Sequence, residues 1–465
     1  MLHFFQEKSV RIDINFKLGV TMAGFARKID EQLVAWKASE SRKPLVLLGA
    51  RQVGKTYALR RFAEKEFGSL AYVDFSRDVD AAAIFDGPIS PEQLISNLSV
   101  YLRMDIESGK TLIVFDEVQL CERALTSLKY FCDEAPEYCV AAAGSLLGVQ
   151  IHRENFSFPV GKVDILNLHP MSFDEYLLAR GEARLADAIR EAYGNPDVAF
   201  PLHDHAMRLV REYELVGGMP EVVSEFVGAG ASGNAALDLA QKKQTEICVA
   251  YAADMVKYAD EQDAPRILAT WNSLPRQLAK ENHKFQYKEI RSGARAAQYQ
   301  TALEWLDTAG IAERCLRVTD AVAPLATFAE DANFKLYGAD TGLLSSRFEA
   351  RPEDLEPADN KASRFRGAIA ENYVFQQLRA ADVSVYYWGT ASRYEVEFVA
   401  RKKTGEVVPI EVKSGKNVRS KSLQEFAERY DIEKSYRLSG RNFGEAGGVV
   451  SIPLYAAWLL GEELR

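Results

Sequence analysis

Cysteine is scarce and unpatterned in this chain: five among 465 residues (Cys121, Cys132, Cys139, Cys248 and Cys315), with no C-x-x-C pair. Such an odd, scattered set excludes a disulfide framework and a zinc knuckle, and it reads as reduced thiols in a cytoplasmic protein. Long apolar runs are missing too. None approaches the roughly 18–20 residues that span a bilayer, and charge interrupts the opening stretch Met1–Asp13 before a secretion signal could form, so no membrane partner is expected. Histidine is rare, and the one close pair, His203 and His205, has a spacing that does not share a helix face, which argues against a metal clamp. Positive charge is not in excess either. Lys plus Arg number 57 against 66 Asp plus Glu, a net −9, so no chain-wide field holds the protein on nucleic acid and any basic site has to be local.

What is present is the composition of an ordinary globular chain, 47% hydrophobic and 26% charged, long enough for two to four domains. Residues 1–21 read as an N-terminal arm, with Met22 as an alternative start. From 22 to 180, short continuous apolar runs (Leu45–Leu48, Leu70–Phe75, Leu112–Phe115, Tyr138–Ala143) alternate with stretches long enough for crossover helices. Continuous rather than alternating runs imply a parallel sheet covered on both faces, hence an α/β core. Residues 181–262 read as a helical lid. Over 263–346, three helical stretches followed by two short strands suggest a winged-helix module, although a helical lid with a small hairpin and no DNA contact fits the same pattern. The acidic, proline-bearing stretch 347–362 reads as a solvated linker, and 363–465 as a smaller α/β domain.

Gly49-Ala50-Arg51-Gln52-Val53-Gly54-Lys55-Thr56 matches G-x-x-x-x-G-K-[ST] and lies between a strand and a helical pattern that opens at Tyr57. Glycines let backbone N–H groups wrap a phosphate, and the helix N-terminus beyond adds its positive end. Lys55 would bridge the β- and γ-phosphates of ATP, and Thr56 would offer its hydroxyl to Mg²⁺. Asp116 and Glu117 end the apolar run Leu112–Phe115, at the strand edge where α/β folds bind ligands. Asp116 is expected to hold Mg²⁺ through water and Glu117 to deprotonate the attacking water. Following the loop by about sixty residues, with the strand Leu70–Phe75 between, this acid pair indicates the additional-strand, catalytic-glutamate type of P-loop NTPase. Ser145, at the end of a further strand, is placed like a sensor of the γ-phosphate; a plain turn residue is the alternative.

The segments Leu48–Thr56, Phe115–Gln119, Ser127–Phe131, Ala143–Gly148, Ser157–Pro159, His169–Tyr176 and Gly217–Pro220 together resemble the prokaryotic AAA-type P-loop ATPases that carry a C-terminal restriction-endonuclease-like domain, the domain-of-unknown-function 4143 family. Gly367–Asn372, Glu395–Val399 and Pro409–Lys413 resemble the same family, so the likeness covers nearly all the chain after Met22. It implies ATP binding and hydrolysis. The family pattern places Arg after the Ser-Phe-Pro stretch and its glycine, where this chain has Lys162, which could act on nucleotide charge in trans only as a point charge.

Glu371 on a helix, Glu397 on a strand and Glu411-x-Lys413 on the next strand resemble the PD-(D/E)xK nuclease arrangement. Acids from adjacent elements would converge on Mg²⁺, with the lysine beside the attacking water. The pattern favours Asp where this chain has Glu397, and the longer side chain moves the carboxylate by one C–C bond, so a degenerate site that binds without cutting is the competing expectation. Arg401 to Lys421 holds seven basic and two acidic residues, which makes Lys402, Lys403 and Lys416 candidate DNA contacts against the alternative of a solvated face. Two functions follow. One is an Mg²⁺-dependent ATPase coupling nucleotide state to conformation, acting on DNA; the other is an ATP-gated module that engages a protein partner with little turnover. A monomer and a homo-oligomer are both compatible with the sequence.

Overall fold

The computed structural model describes residues 24–145, 147–151, 158–280, 283–356, 363–390, 394–415 and 421–465. The expected arm over 1–21, and Met22, lie outside them. Among the described residues no helix is long and apolar enough to cross a membrane. All five cysteines are free, and Cys121, Cys139 and Cys315 are buried.

The first domain runs α1 (Lys28–Ala38), β1 (Leu45–Leu48), α2 (Lys55–Glu66), β2 (Ser69–Asp74), α3 (Pro91–Leu102), β3 (Thr111–Asp116), α4 (Glu122–Glu134), β4 (Cys139–Ala143), α5 (Leu147–Ile151), β5 (Asp164–Asn167) and α6 (Phe173–Ala179). Its five strands are all parallel, in the order β2-β3-β4-β1-β5. β4 is thus the extra strand between β1, which carries the P-loop, and β3, which carries the acids. Residues 112–115 and 139–143 are wholly buried because apolar clusters cover both faces of the sheet, which is why their sequences run apolar without alternation. β5 escapes that rule. It is an edge strand with Ile165 half exposed, so Asp164–Asn167 carries no apolar run to announce it.

Helices follow: α7 (Ala183–Tyr193), α8 (His203–Val216), α9 (Pro220–Gly228), α10 (Gly233–Tyr258), α11 (Ala264–Leu278) and α12 (Gln300–Thr308). Then come β6 (Ala312–Val318), β7 (Ala329–Gly338), α13 (Thr341–Arg347) and α14 (Pro352–Leu355). The last part holds α15 (Ser363–Ala380), β8 (Val385–Gly389), β9 (Glu395–Arg401), β10 (Val407–Val412), α16 (Lys421–Tyr430), β11 (Ser435–Ser439), β12 (Gly444–Ala446), β13 (Val449–Pro453) and α17 (Ala457–Leu464).

Two features cross the boundaries read from sequence. In the β6–β7 hairpin, β6 pairs in parallel with β8 (Arg317 with Tyr387, Val318 with Trp388), so the hairpin is one edge of an eight-stranded sheet ordered β12-β13-β11-β10-β9-β8-β6-β7. Strand-edge hydrogen bonds left open by an isolated hairpin are satisfied there by the C-terminal strands. The supposed solvated linker contains α14, whose Leu355 is buried, and Arg351 pairs with Asp238 at 2.8 Å; residues 357–362 lie outside the described residues. A single apolar cluster runs from α1 through the lid helices to α17, crossing the expected boundaries at 180/181, 262/263, 346/347 and 362/363.

Candidate nucleotide site

The loop after β1 turns on two glycines. Gly54 has φ +98 and caps α2, a left-handed conformation that costs an L-residue about 1–2 kcal/mol. At Gly49 a Cβ would lie 2.2 Å from the Leu168 carbonyl oxygen, so no larger residue fits between β1 and the chain leaving β5. The loop therefore presents its backbone N–H groups and the α2 N-terminus toward one point. Lys55 is buried, and its ammonium donates to the carbonyl oxygens of Gly49 (2.7 Å) and Ala50 (2.8 Å). Burial lowers its pKa to about 8, with Glu117 and Asp116 opposing that fall.

Thr56 Oγ1 and the Tyr72 hydroxyl each donate to Asp116 Oδ2 at 2.6 Å, while the Glu117 N–H donates to Asp116 Oδ1 at 3.0 Å. Glu117 sits in the left-handed region (φ +48), directly after β3 ends at Asp116. Ser145 Oγ donates to Glu117 Oε2 at 3.1 Å, and Gln119 Nε2 donates to the same oxygen. Thr56, Asp116, Glu117 and Ser145 are thus brought together at the C-terminal edge of β1, β3 and β4. One hydroxyl and one carboxylate are the hard oxygen donors that Mg²⁺ takes when substrate phosphates complete its shell.

Arg27, just ahead of α1, was not flagged by sequence. It donates to the carbonyl oxygens of Val53 (3.2 Å) in the P-loop and His169 (2.8 Å), and it pairs with Glu175 at 3.0 Å. Arg27 and Glu175 are both nearly buried, and despite that burial Arg27 and the neighbouring N–H donors hold the Glu175 carboxyl below its ordinary value. Arg51, expected at the phosphates, turns instead to Asp254 of α10, and the Tyr251 hydroxyl donates to the Arg51 carbonyl at 3.0 Å. Tyr57 lines a narrow apolar cleft with Phe25, Gly54, Ala58 and Pro220, beside the P-loop. Pro220 reaches that place because the Gly217-Gly218 turn is pinned from both sides: Met171 N–H donates to the Gly218 carbonyl (2.7 Å), and Gly218 N–H donates to Asp340 Oδ2 (2.6 Å).

Lys162 pairs with Asp133 of its own chain at 2.5 Å on an exposed surface. The basic run is not one open face. Lys402 pairs with Glu463 at 2.9 Å and donates to the Tyr436 hydroxyl at 3.0 Å, so its charge is used internally; Lys403 is exposed and Lys416 lies outside the described residues. In the C-terminal sheet Glu371, Glu397, Glu411 and Lys413 do converge. Lys413 Nζ lies 3.0 Å from Glu397 and 3.3 Å from Glu411. Among the described residues, however, no cluster of His, Cys, Asp or Glu has the geometry to hold a metal ion.

Residues 41–177 match the AAA domain family. Residues 207–354 match a domain of unknown function (DUF8612), and residues 366–455 another (DUF4143). No curated protein matches the chain. Among solved structures, Cdc6p from Pyrobaculum aerophilum is similar at 13% identity, over 69% of this chain and 91% of that one, with a TM-score of 0.27. The ORC2 protein of Aeropyrum pernix, in ADPNP–ADP complexes, is similar at 12% identity, over 69% and 91%, with a TM-score of 0.35. The ORC1 protein of Aeropyrum pernix in complex with DNA is similar at 15% identity, over 70% and 91%, with a TM-score of 0.26. TM-scores this low carry no argument. The AAA match and the five-stranded parallel sheet make the first domain an AAA-type P-loop NTPase core.

Proposed function

We propose that this chain is an Mg²⁺-dependent ATPase whose nucleotide state sets the arrangement of the lid helices, and that its C-terminal domain binds or positions without cutting. The observation that carries the reading is the contact between Thr56 and Asp116 at the end of β3, with Glu117 next in the chain and Lys55 at the loop. Backbone N–H groups of residues 52–56 and the Lys55 ammonium would hold the phosphates. Thr56 and Asp116 are the residues that would hold Mg²⁺, which supplies charge neutralisation on the phosphates when bound. Glu117 would take the proton of the attacking water, with Ser145 and Gln119 fixing its carboxylate. Tyr57, Phe25 and Pro220 supply the apolar surface against which a nucleobase would lie.

One observation favours a slower variant of this reading, an ATP-gated module that engages a DNA or protein partner. Glu117 Oε2 already accepts hydrogen bonds from both Ser145 and Gln119, so its base is engaged before any water arrives. Steady-state phosphate release with and without DNA distinguishes the two. Turnover that depends on Glu117 supports the ATPase, and binding of ATP with no release under either condition supports the gated module.

A further inference from the structure

The C-terminal carboxylate cluster contains a cation that sequence reasoning did not assign to it. Lys335 lies on β7, outside the 366–455 domain, and its side chain is 1% exposed. Its ammonium is 2.8 Å from Glu395 Oε1 and 3.4 Å from Glu371 Oε2. The same Glu371 oxygen accepts from the Tyr337 hydroxyl at 2.9 Å and faces His283 Nδ1 at 2.9 Å. On the far side Lys413 serves Glu397 and Glu411, Arg437 Nε lies 2.8 Å from Glu411 Oε2, and Lys284 Nζ lies 3.4 Å from Glu395 Oε2. Four carboxylates therefore face four fixed cations, Lys335, Lys284, Lys413 and Arg437, with His283 beside them.

A divalent-cation site needs carboxylate oxygens that converge with lone pairs to spare and an excess of negative charge. The second condition fails here, since four cations face the four carboxylates. A metal ion between Glu371 and Glu395 would have to displace the Lys335 ammonium, which is buried and tethered on a sheet strand and so has no solvent to retreat into. Burial works against charge on Lys335, yet Glu371, Glu395 and Glu397 hold its pKa above the ordinary lysine value. Glu397 Oε2 is the one oxygen of the cluster that is buried without a hydrogen-bond partner. Burial foremost, partly offset by Lys413 and reinforced by Glu371 and Glu411, holds Glu397 above the ordinary carboxyl value.

We propose that Lys335 is the resident cation of this cluster, standing where a divalent metal would bind, so that the C-terminal domain neither holds Mg²⁺ nor cuts nucleic acid and the cluster instead fastens the β6–β7 hairpin to the C-terminal sheet. The proposal is independent of whether the first domain hydrolyses ATP.

The test measures Mn²⁺ binding by electron paramagnetic resonance on the full chain without nucleotide, in an Asp116→Asn background that removes the ATPase site's carboxylate. The parent is expected to show no saturable Mn²⁺ site. Adding Lys335→Met should create one, tightening Mn²⁺ binding by at least about tenfold, and a further Glu371→Gln should abolish it, since removing the ammonium leaves the Glu371, Glu395 and Glu397 carboxyls unbalanced. A Mn²⁺ site in the parent that Glu397→Gln or Glu371→Gln removes overturns the proposal. So does a folded Lys335→Met protein, by circular dichroism, that gains no site. If Lys335→Met does not fold, the parent decides together with a plasmid assay in Mg²⁺ and Mn²⁺: nicking that Glu411→Gln abolishes overturns the proposal, and intact plasmid with no Mn²⁺ site upholds it.

Discussion

Raising the pH should weaken nucleotide binding through one lysine. Burial holds Lys55 at about 8 in the free protein, against the pull of Glu117 and Asp116 toward its charged form. The ammonium is the form that meets phosphate, and a bound nucleotide places further negative charge beside it, so binding is coupled to proton uptake. The sign follows. Below about pH 7 Lys55 is charged in both states and affinity is flat; above about pH 8 the free protein gives up the proton first, and each further unit costs about tenfold, ~1.4 kcal/mol, until the pKa of the bound state is reached. From about pH 7 to about pH 9.5 the Kd for ADP should rise roughly 30-fold, or ~2 kcal/mol. Nucleotide phosphates are fully ionised over most of that range and add little of their own. Anisotropy of a fluorescent ADP analogue at constant ionic strength measures it, with Lys55→Met as the control, expected to bind weakly and without the pH slope. A wild-type Kd that stays within about twofold across the range would refute the reasoning, because a buried lysine near 8 that touches phosphate has to titrate there.

Glu117→Gln should keep ADP affinity within about twofold and lower kcat by at least about 100-fold in a phosphate-release assay, since the amide accepts no proton; wild-type turnover in the variant removes the base assignment. Gly54→Ala meets no close neighbour, its nearest contacts being Pro220 at 3.8 Å and Arg27 at 3.9 Å, so its cost is conformational. About 1–2 kcal/mol of left-handed strain should appear as roughly a tenfold loss of ADP affinity, and unchanged affinity would show the loop does not need that geometry. Arg27→Ala leaves the Glu175 carboxylate buried without its guanidinium, so urea denaturation should show a loss of about 3–5 kcal/mol, and a loss under ~1 kcal/mol would mean the pair is not the anchor described.

The parts of the site that sequence exposed are those whose chemistry is contiguous. Gly49 to Thr56 is one loop, and Asp116-Glu117 ends a strand whose apolar run is visible because both faces are covered. What stayed hidden acts across distance. Arg27 serves Val53, 26 positions on, and Glu175, 148 positions on. Asp254 pairs with Arg51 of the loop from α10, a helix with nothing in its sequence to signal that contact. Tyr72 reads as one more strand aromatic until β2 is seen to lie beside β3, where its hydroxyl meets Asp116. Lys335 gives no sign of its role in sequence, since a lysine on a strand ordinarily points to water, whereas the whole stretch 334–338 is buried. The pairing of β6 with β8 was hidden for a related reason: a hairpin's own sequence does not say which strand will take its outer edge.

These long-range contacts also constrain how nucleotide could move the molecule. From the P-loop cleft, Pro220 leads to Gly218, whose N–H is held by Asp340; Asp340 also accepts from Gln376 Nε2 at 3.3 Å, and Gln376 sits on α15. Glu371, five residues earlier on that helix, is held by Lys335. The polar groups on this route are buried and most have more than one partner, so parting the route means breaking several buried contacts at once, each group left unsatisfied costing about 1–3 kcal/mol. The lid turn, α15 and the C-terminal sheet should therefore move as a single body. The contact better suited to yield is Arg51 with Asp254, because the Arg51 side chain is 45% exposed and water can replace the lost partner. If the loop takes ATP as proposed, its γ-phosphate would compete with Asp254 for that guanidinium, which would free α10 while leaving the buried route intact.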